Sequence, residues 1–372
     1  MTRVKGWCPD AWHPMAAGDG LLVRVRPPLG RIDAAQLMGL CDAAVAYGNG
    51  LIDLTSRANV QIRGVREQGW QALVDRLVAL GLTHADPVME MRRVLLVAPD
   101  WRAGDDTARI AAELGERLGA LPSLPGKVGF TIDAGIAPVL TEMAGDFRLE
   151  RGAHGGLILR ADGRSTGVDA AHGREVDALI ALAQWFIASG GGAAGRMARH
   201  DASLPDWARG DIPPANPGPI LRPGLCAPDF VYAVPFGQVE AGDLSLLAGA
   251  GQAIRITPWR MVMVEGGRGG AIAGLSHDPD DPLLRVDACP GAPRCPQSTV
   301  ETRDLARRLV PHVVGRLHVS GCAKGCARAG AADICITGRA GHYDLAHNAR
   351  AGAPPRRSGL DTTALIDLLG AA

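Results

Sequence analysis

Pro28-Leu29-Gly30-Arg31-Ile32-Asp33-Ala34-Ala35-Gln36-Leu37 decides how this chain is read, because it returns 207 residues later as Pro235-Phe236-Gly237-Gln238-Val239-Glu240-Ala241-Gly242-Asp243-Leu244. Apolar positions fall on apolar ones, Asp33 falls on Glu240, and Pro, Gly and Ala recur unchanged. A strand-like run precedes each copy, at residues 21–25 and 230–234. A helical stretch and two further strand-like runs follow, at 52–55 with 60–62 and at 254–257 with 262–264. Each unit therefore reads strand, Pro/Gly turn, helix, strand. The spacing is too long for a solenoid period and implies that a whole domain was duplicated into pseudo-symmetric halves. Chance similarity in an Ala/Gly-rich chain is the alternative, and the shared order and spacing speak against it.

Each half continues into a larger α/β region. Residues 93–98 read as a buried strand, 107–118 as an amphipathic helix, 127–132 as another strand and 175–188 as a closing helix. Gly190-Gly191-Gly192 follows a helix, not a strand, so it reads as a flexible connection and not as a dinucleotide loop. Residues 207–223 hold five prolines and read as the linker. In the second half a helix is expected over 302–310, a strand over 315–319 and a terminal helix over 361–369.

Apolar residues make up 47% and charged residues 21%, a core-forming balance. Lys+Arg and Asp+Glu both number 39, so no global basic field draws in nucleic acid, and aromatics at 4% offer little for base stacking. The N-terminus lacks an apolar signal region, and the most apolar stretch, 176–188, carries Asp177 and is too short to span a bilayer. A cytoplasmic monomer without nucleic-acid or membrane partners is expected. In that compartment the eight cysteines are better read as metal or redox groups than as disulfides.

Four of them form the strongest motif: Cys289-Pro290-Gly291-Ala292-Pro293-Arg294-Cys295 and Cys322-Ala323-Lys324-Gly325-Cys326. Four thiolates suit a 4Fe-4S cluster. Glycines let the backbone approach it, and Arg294 and Lys324 offset its negative charge. Structural zinc is the alternative; C-x3-C would serve it, while C-x5-C is loose for it. Cys41 and Cys335 read as core, His318 as a neighbour of the cluster, and Cys8 and Cys226 carry no assignment.

This cysteine pattern in the second half of a duplicated chain resembles the siroheme sulfite and nitrite reductase superfamily. The resemblance implies an α+β fold: two ferredoxin-like half-domains plus two α/β domains that carry cluster and substrate, related by a pseudo-two-fold axis. On it, residues 1–85 form the first half-domain, 86–206 the first α/β domain, 207–224 the linker, 225–275 the second half-domain and 276–372 the cluster domain. Leu54-Thr55-Ser56-Arg57-Ala58-Asn59-Val60-Gln61-Ile62-Arg63-Gly64 resembles the basic strand that faces the tetrapyrrole, Arg92-Arg93-Val94 the Arg-containing strand after it, and Leu124-Pro125-Gly126-Lys127-Val128-Gly129 the family's LPRKFK-like segment. The resemblance thus makes Arg57, Arg92 and Lys127 candidate substrate contacts, with Asn59 and Gln61 beside Arg57, and the repeated placement of arginines on strands of both halves adds Arg63 and Arg260. Gly129 stands where those enzymes have a second Lys, which removes a charge that a sulfite site would use.

Lys5-Gly6-Trp7-Cys8-Pro9, the run from Pro14 to Arg24, and the run from Gly48 to Arg57 are similar to the precorrin-3B synthase family of aerobic cobalamin synthesis. That similarity implies a monooxygenase that hydroxylates precorrin-3A at C20 with dioxygen and closes a lactone. It implies a 4Fe-4S cluster, a mononuclear non-haem iron and a separate NAD(P)H-linked donor such as a ferredoxin or reductase. The substrate's carboxylates suit arginines, whose forks bind them bidentately. Arg24 and Arg26 share a strand face, and Arg57, Arg63, Arg255 and Arg260 occupy corresponding regions of the halves. None of the ten histidines falls in a facial-triad pattern, so no ligand set for the mononuclear iron is legible. A siroheme-dependent sulfite or nitrite reductase is the alternative function. A cluster-bearing carrier is a third, although a carrier has no use for a tetrapyrrole-sized anion pocket.

Overall fold

In the computed structural model, which describes residues 9–370, the duplication extends to every strand. The first half runs β1 (Met15–Ala17), β2 (Gly20–Val25), β3 (Arg31–Asp33), α1 (Ala34–Tyr47), β4 (Leu51–Leu54), β5 (Val60–Val65), α2 (Trp70–Ala79), α3 (Pro87–Arg92), β6 (Leu95–Val97), α4 (Asp106–Glu116), β7 (Phe130–Asp133), β8 (Phe147–Arg151), β9 (Leu157–Ala161), β10 (Val168–Asp169), α5 (Glu175–Ala188) and α6 (Gly191–Ala194). The second runs β11 (Gly224–Cys226), β12 (Asp229–Ala233), β13 (Gln238–Glu240), α7 (Ala241–Ser245), β14 (Ala253–Ile256), β15 (Met261–Val264), β16 (Val286–Ala288), α8 (Arg303–Leu309), β17 (Leu317–Ser320), β18 (Ala332–Arg339), β19 (His342–Ala349), β20 (Arg357–Leu360) and α9 (Thr362–Gly370).

Four five-stranded sheets result, and the first pair exchange a strand. One sheet is ordered β1-β2-β5-β4-β13 and its counterpart β11-β12-β15-β14-β3. The repeated decapeptide is the device. Leu29 and Phe236, at matching positions, both take left-handed φ, 54° and 58°, and a glycine follows each. Such a conformation costs a non-glycine residue about 1–2 kcal/mol. The turn throws the next three residues across to the opposite half, where Ile32 pairs with Ile254 and Val239 with Ile52. The chain then enters a helix, which in the first half is fastened by reciprocal bonds between Asp33 and Gln36. One continuous apolar core runs under both sheets, from Val23, Leu40 and Ile62 to Val239, Ile254 and Val262.

The other sheets, β10-β9-β8-β7-β6 and β16-β17-β18-β19-β20, each begin with parallel pairing and end antiparallel. Each has its own core, around Phe147 and Phe186 in one and Leu305, Leu317 and Ile336 in the other. The fold is the α+β architecture expected.

Several local expectations shift. Helix α3 runs through Arg92, so the strand expected from 93 starts at Leu95. The strand expected from 127 starts at Phe130, after a turn at Gly126 and Lys127. The glycine triplet forms a left-handed corner at Gly190 and the short helix α6. The proline-rich segment lies against the first α/β sheet, with bridges from Pro214 to Gly152 and from Ile212 to Gly167. Cys8 lies outside the described residues. Cys41 is buried, and burial followed by Asp42 pushes its thiol up to about 12, as a core cysteine requires.

Candidate active site

The two cysteine loops leave the C-terminal ends of adjacent parallel strands. Cys289 follows β16, Cys322 follows β17 one residue on, and Val286, Asp287 and Ala288 stand opposite Leu317, His318 and Val319. The loops are held by their own backbone. Gly321 N–H donates to Cys289 Sγ at 3.1 Å, Cys295 N–H to Gly291 O at 2.7 Å, and the Thr302 hydroxyl to Cys289 O. Ser320 Oγ donates to Cys322 O at 2.7 Å. Although Cys326 is the most exposed of the four, desolvation pushes its thiol up. Lys324 pulls it back, and Cys289, Cys322 and Cys295 raise it further. Four sulfurs thus converge with mutual repulsion that a cationic core would relieve.

Their spacing bears on which core. A tetrahedral zinc with bonds of about 2.3 Å would hold its sulfurs ~3.8 Å apart. Among the described residues, the donor set of three or more within 4.8 Å of one another is Asp106, His172 and Glu175, not any three of these cysteines. Four soft thiolates on two loops suit an iron–sulfur cluster.

The first half builds a basic cavity. A small pocket is lined by Arg57, Asn59, Arg93, Lys127 and Asp146. It shares Asn59 and Arg93 with a cleft of about 580 Å³, and Val94 with a second of about 650 Å³. The two clefts share Arg26. Arg57 reaches this pocket from a turn, not a strand. Thr55 Oγ1 accepts the N–H groups of Arg57 and Asn59, and Nη2 of Arg57 donates to Lys127 O at 3.2 Å. The corresponding turn of the second half is fastened in the same way by Thr257, with N–H groups from Trp259 and Met261.

Other candidate residues have different partners. Arg92 lines the larger cleft, but its guanidinium donates to Leu118 O and Gly119 O at 3.1 and 3.0 Å. Arg63 is 3% exposed and paired with Asp19 and Asp53 at 2.9 Å each. Desolvation opposes its charge, but Asp53 and Asp19 outweigh it and hold its pKa above the ordinary value. Arg260 binds Asp287 at 3.0 Å and Ala327 O at 2.7 Å, beside Cys326. Gln61, on β5, lines none of these spaces.

Reading the sequence missed Arg93. It faces both the small pocket and a cleft, held by Glu90 at 2.8 Å and by Arg26 O at 2.5 Å. The Arg92-Arg93 pair was visible, but a helix end, not a strand, chooses which one turns inward. Asp10 and His13 were also missed. They line the larger cleft, with His13 Nδ1 3.1 Å from the buried carboxylate of Asp10. Gly129 lines the small pocket, and a Cβ there would stand 2.6 Å from Val94 Cγ1 and 2.7 Å from Val94 O. No lysine fits without moving the backbone.

Asp106, His172 and Glu175 do not make an iron site. Arg109 lies between the carboxylates, 3.1 Å from Asp106 and 2.6 Å from Glu175, and Arg151 adds a second cation at 3.3 Å. This is an ion-pair network. The mononuclear iron has no fitting ligand set among the described residues.

Known proteins share this architecture. A profile of the nitrite/sulfite reductase ferredoxin-like half domain matches residues 13–80. A precorrin-3B synthase from Sinorhizobium sp. is 30% identical over 94% of this chain and 84% of its own length. A ferredoxin–nitrite reductase from Synechococcus elongatus is 33% identical over 29% of this chain and 20% of its own. The solved structure of the NirA protein of Mycobacterium tuberculosis superposes with a TM-score of 0.61 at 20% identity, over 94% of this chain and 79% of that one. Among the described residues no helix is long and apolar enough to cross a membrane.

Proposed function

The chain belongs to the precorrin-3B synthase family, built on the sulfite/nitrite-reductase fold, and on that premise we propose that it hydroxylates precorrin-3A at C20 with dioxygen and closes the lactone. The observation that carries the reading is the basic cavity of the first half. Arg26 lines both of its clefts, of about 650 and 580 Å³, and Arg93 the smaller of them, Arg57 and Lys127 line the small pocket that adjoins them, and Gly129 stands where the reductases carry a lysine.

Each cation has a part that its fixing bonds allow. Arg57 and Lys127, joined by one hydrogen bond, meet one peripheral carboxylate, and Arg26 and Arg93 meet others across the shared wall. Arg26 and Arg93 are themselves positioned by the buried carboxylate of Glu90, at 3.6 and 2.8 Å. Asp10 holds the His13 ring through Nδ1 and leaves Nε2 facing the cleft wall. A four-iron cluster, when bound by Cys289, Cys295, Cys322 and Cys326, supplies single electrons, drawn from a separate NAD(P)H-linked donor.

Anaerobic purification followed by iron, sulfide and visible-absorption analysis tests this reading. Iron and acid-labile sulfide without a siroheme band are expected. Bound siroheme would return the chain to the reductases.

A further inference from the structure

Arg303 is a buried cation whose partners do not account for it. It is 8% exposed, and its Nε and Nη1 lack hydrogen-bond partners. The nearest carboxylate is Asp53, 3.9 Å away, and Asp53 already binds Arg63 at 2.9 Å and Gln238 at 2.6 Å. Burial pulls the guanidinium down to about 10. Asp53 and the Cys289 thiolate pull the other way, while Arg63 and Arg294 add repulsion. Arg303 also opens α8, where the helix dipole disfavours a positive charge. A desolvated charge without hydrogen bonds is costly unless an anion stands nearby.

The start of α8 adjoins the C-x5-C loop. Thr302, the residue before Arg303, donates its hydroxyl to Cys289 O, and Ala292 N–H donates to Val300 O at 2.8 Å. The start of α8 is thereby tied to the C-x5-C loop. A cluster held by four thiolates carries net negative charge, and one-electron reduction deepens it.

We propose that Arg303 raises the reduction potential of the cluster on Cys289, Cys295, Cys322 and Cys326 by serving as a buried counter-charge that favours the reduced form. The inference rests on the reading that these cysteines hold the cluster, and not on which tetrapyrrole is the substrate. Arg303 acts through the cluster and is a positioning residue. One electron enters from an external one-electron reductant, and no bond is made or broken.

The test is a redox titration of the holoprotein with dithionite and mediators, with the reduced cluster followed by electron paramagnetic resonance. Iron and sulfide are measured on each sample. Arg303→Gln should lower the equilibrium constant for reduction about tenfold, or 59 mV for a one-electron couple. Arg303→Lys should stay within about threefold of the parent. Asp53→Asn removes the opposing charge and should shift the potential upward. Equal shifts in Arg303→Gln and Arg303→Lys would overturn the proposal. So would an unchanged or lowered potential in Asp53→Asn, and that variant decides the matter alone if Arg303→Gln holds no cluster. Absence of iron and sulfide from the parent protein would instead remove the cluster reading itself.

Discussion

Replacing Arg63 with leucine separates its two possible roles. The side chain is 3% exposed and makes three bonds of 2.9 Å, two to Asp19 and one to Asp53. Those carboxylates are themselves only 13% and 12% exposed. Leucine would leave both without their cation, and breaking a buried pair from one side costs about 3–5 kcal/mol. The loss should also reach the C-x5-C loop. Asp19 sits in the β1–β2 turn beside Gly18, whose N–H donates to Arg294 O at 3.1 Å, and Arg63 itself reaches that carbonyl at 3.4 Å. A Cβ on Gly18 would lie 2.2 Å from Pro293 O, so the turn is pressed onto the C-x5-C loop. Urea unfolding followed by circular dichroism should therefore show a lower midpoint for Arg63→Leu, with faster loss of bound iron in air. A stability loss under about 1 kcal/mol, together with weaker substrate binding, would refute the reasoning and make Arg63 a substrate contact.

Arg57→Ala and Lys127→Ala should each weaken substrate binding by about 1.5–3 kcal/mol, roughly ten- to a hundredfold, with little change in melting temperature, as read by equilibrium titration of precorrin-3A. Gly129→Lys should destabilise the protein by about 1–3 kcal/mol through collision with Val94, and should not confer sulfite reduction. Burial pushes the Asp133 carboxyl up to about 6, against the N–H groups of Leu140 and Val139 and with help from Asp100 and Glu150. Its folded pKa lies above the unfolded value of about 3.9, so the native state binds the extra proton between them. The contribution, of order 3 kcal/mol, is present below pH ~4 and lost as pH rises through ~6. Asp133→Asn should flatten that slope relative to the parent in urea unfolding across this range, and an unchanged slope would contradict the assignment.

What the residues revealed and concealed follows from the range of the forces involved. The duplication was legible because turn, capping and apolar periodicity are local, and both copies obey them. The strand exchange was not, because Arg31–Asp33 and Gln238–Glu240 are three-residue strands whose partners lie in the other half of the chain. That the two cysteine motifs lie side by side was legible from spacing, since loops from adjacent parallel strands bring such motifs together. The basic residues were harder. An arginine reads the same whether it lines an open cavity, as at Arg57 and Arg93, or meets carboxylates of its own fold, as at Arg63 and Arg260. Only the positions of Asp19, Asp53 and Asp287 distinguish them.

The most direct measurement is turnover of precorrin-3A by the anaerobically purified protein, supplied with a one-electron reductant and isotopically labelled dioxygen, with the product read by mass spectrometry. A hydroxylated lactone that carries one labelled oxygen atom is predicted. Unchanged precorrin-3A, with reduction of sulfite or nitrite by the same preparation, would contradict it.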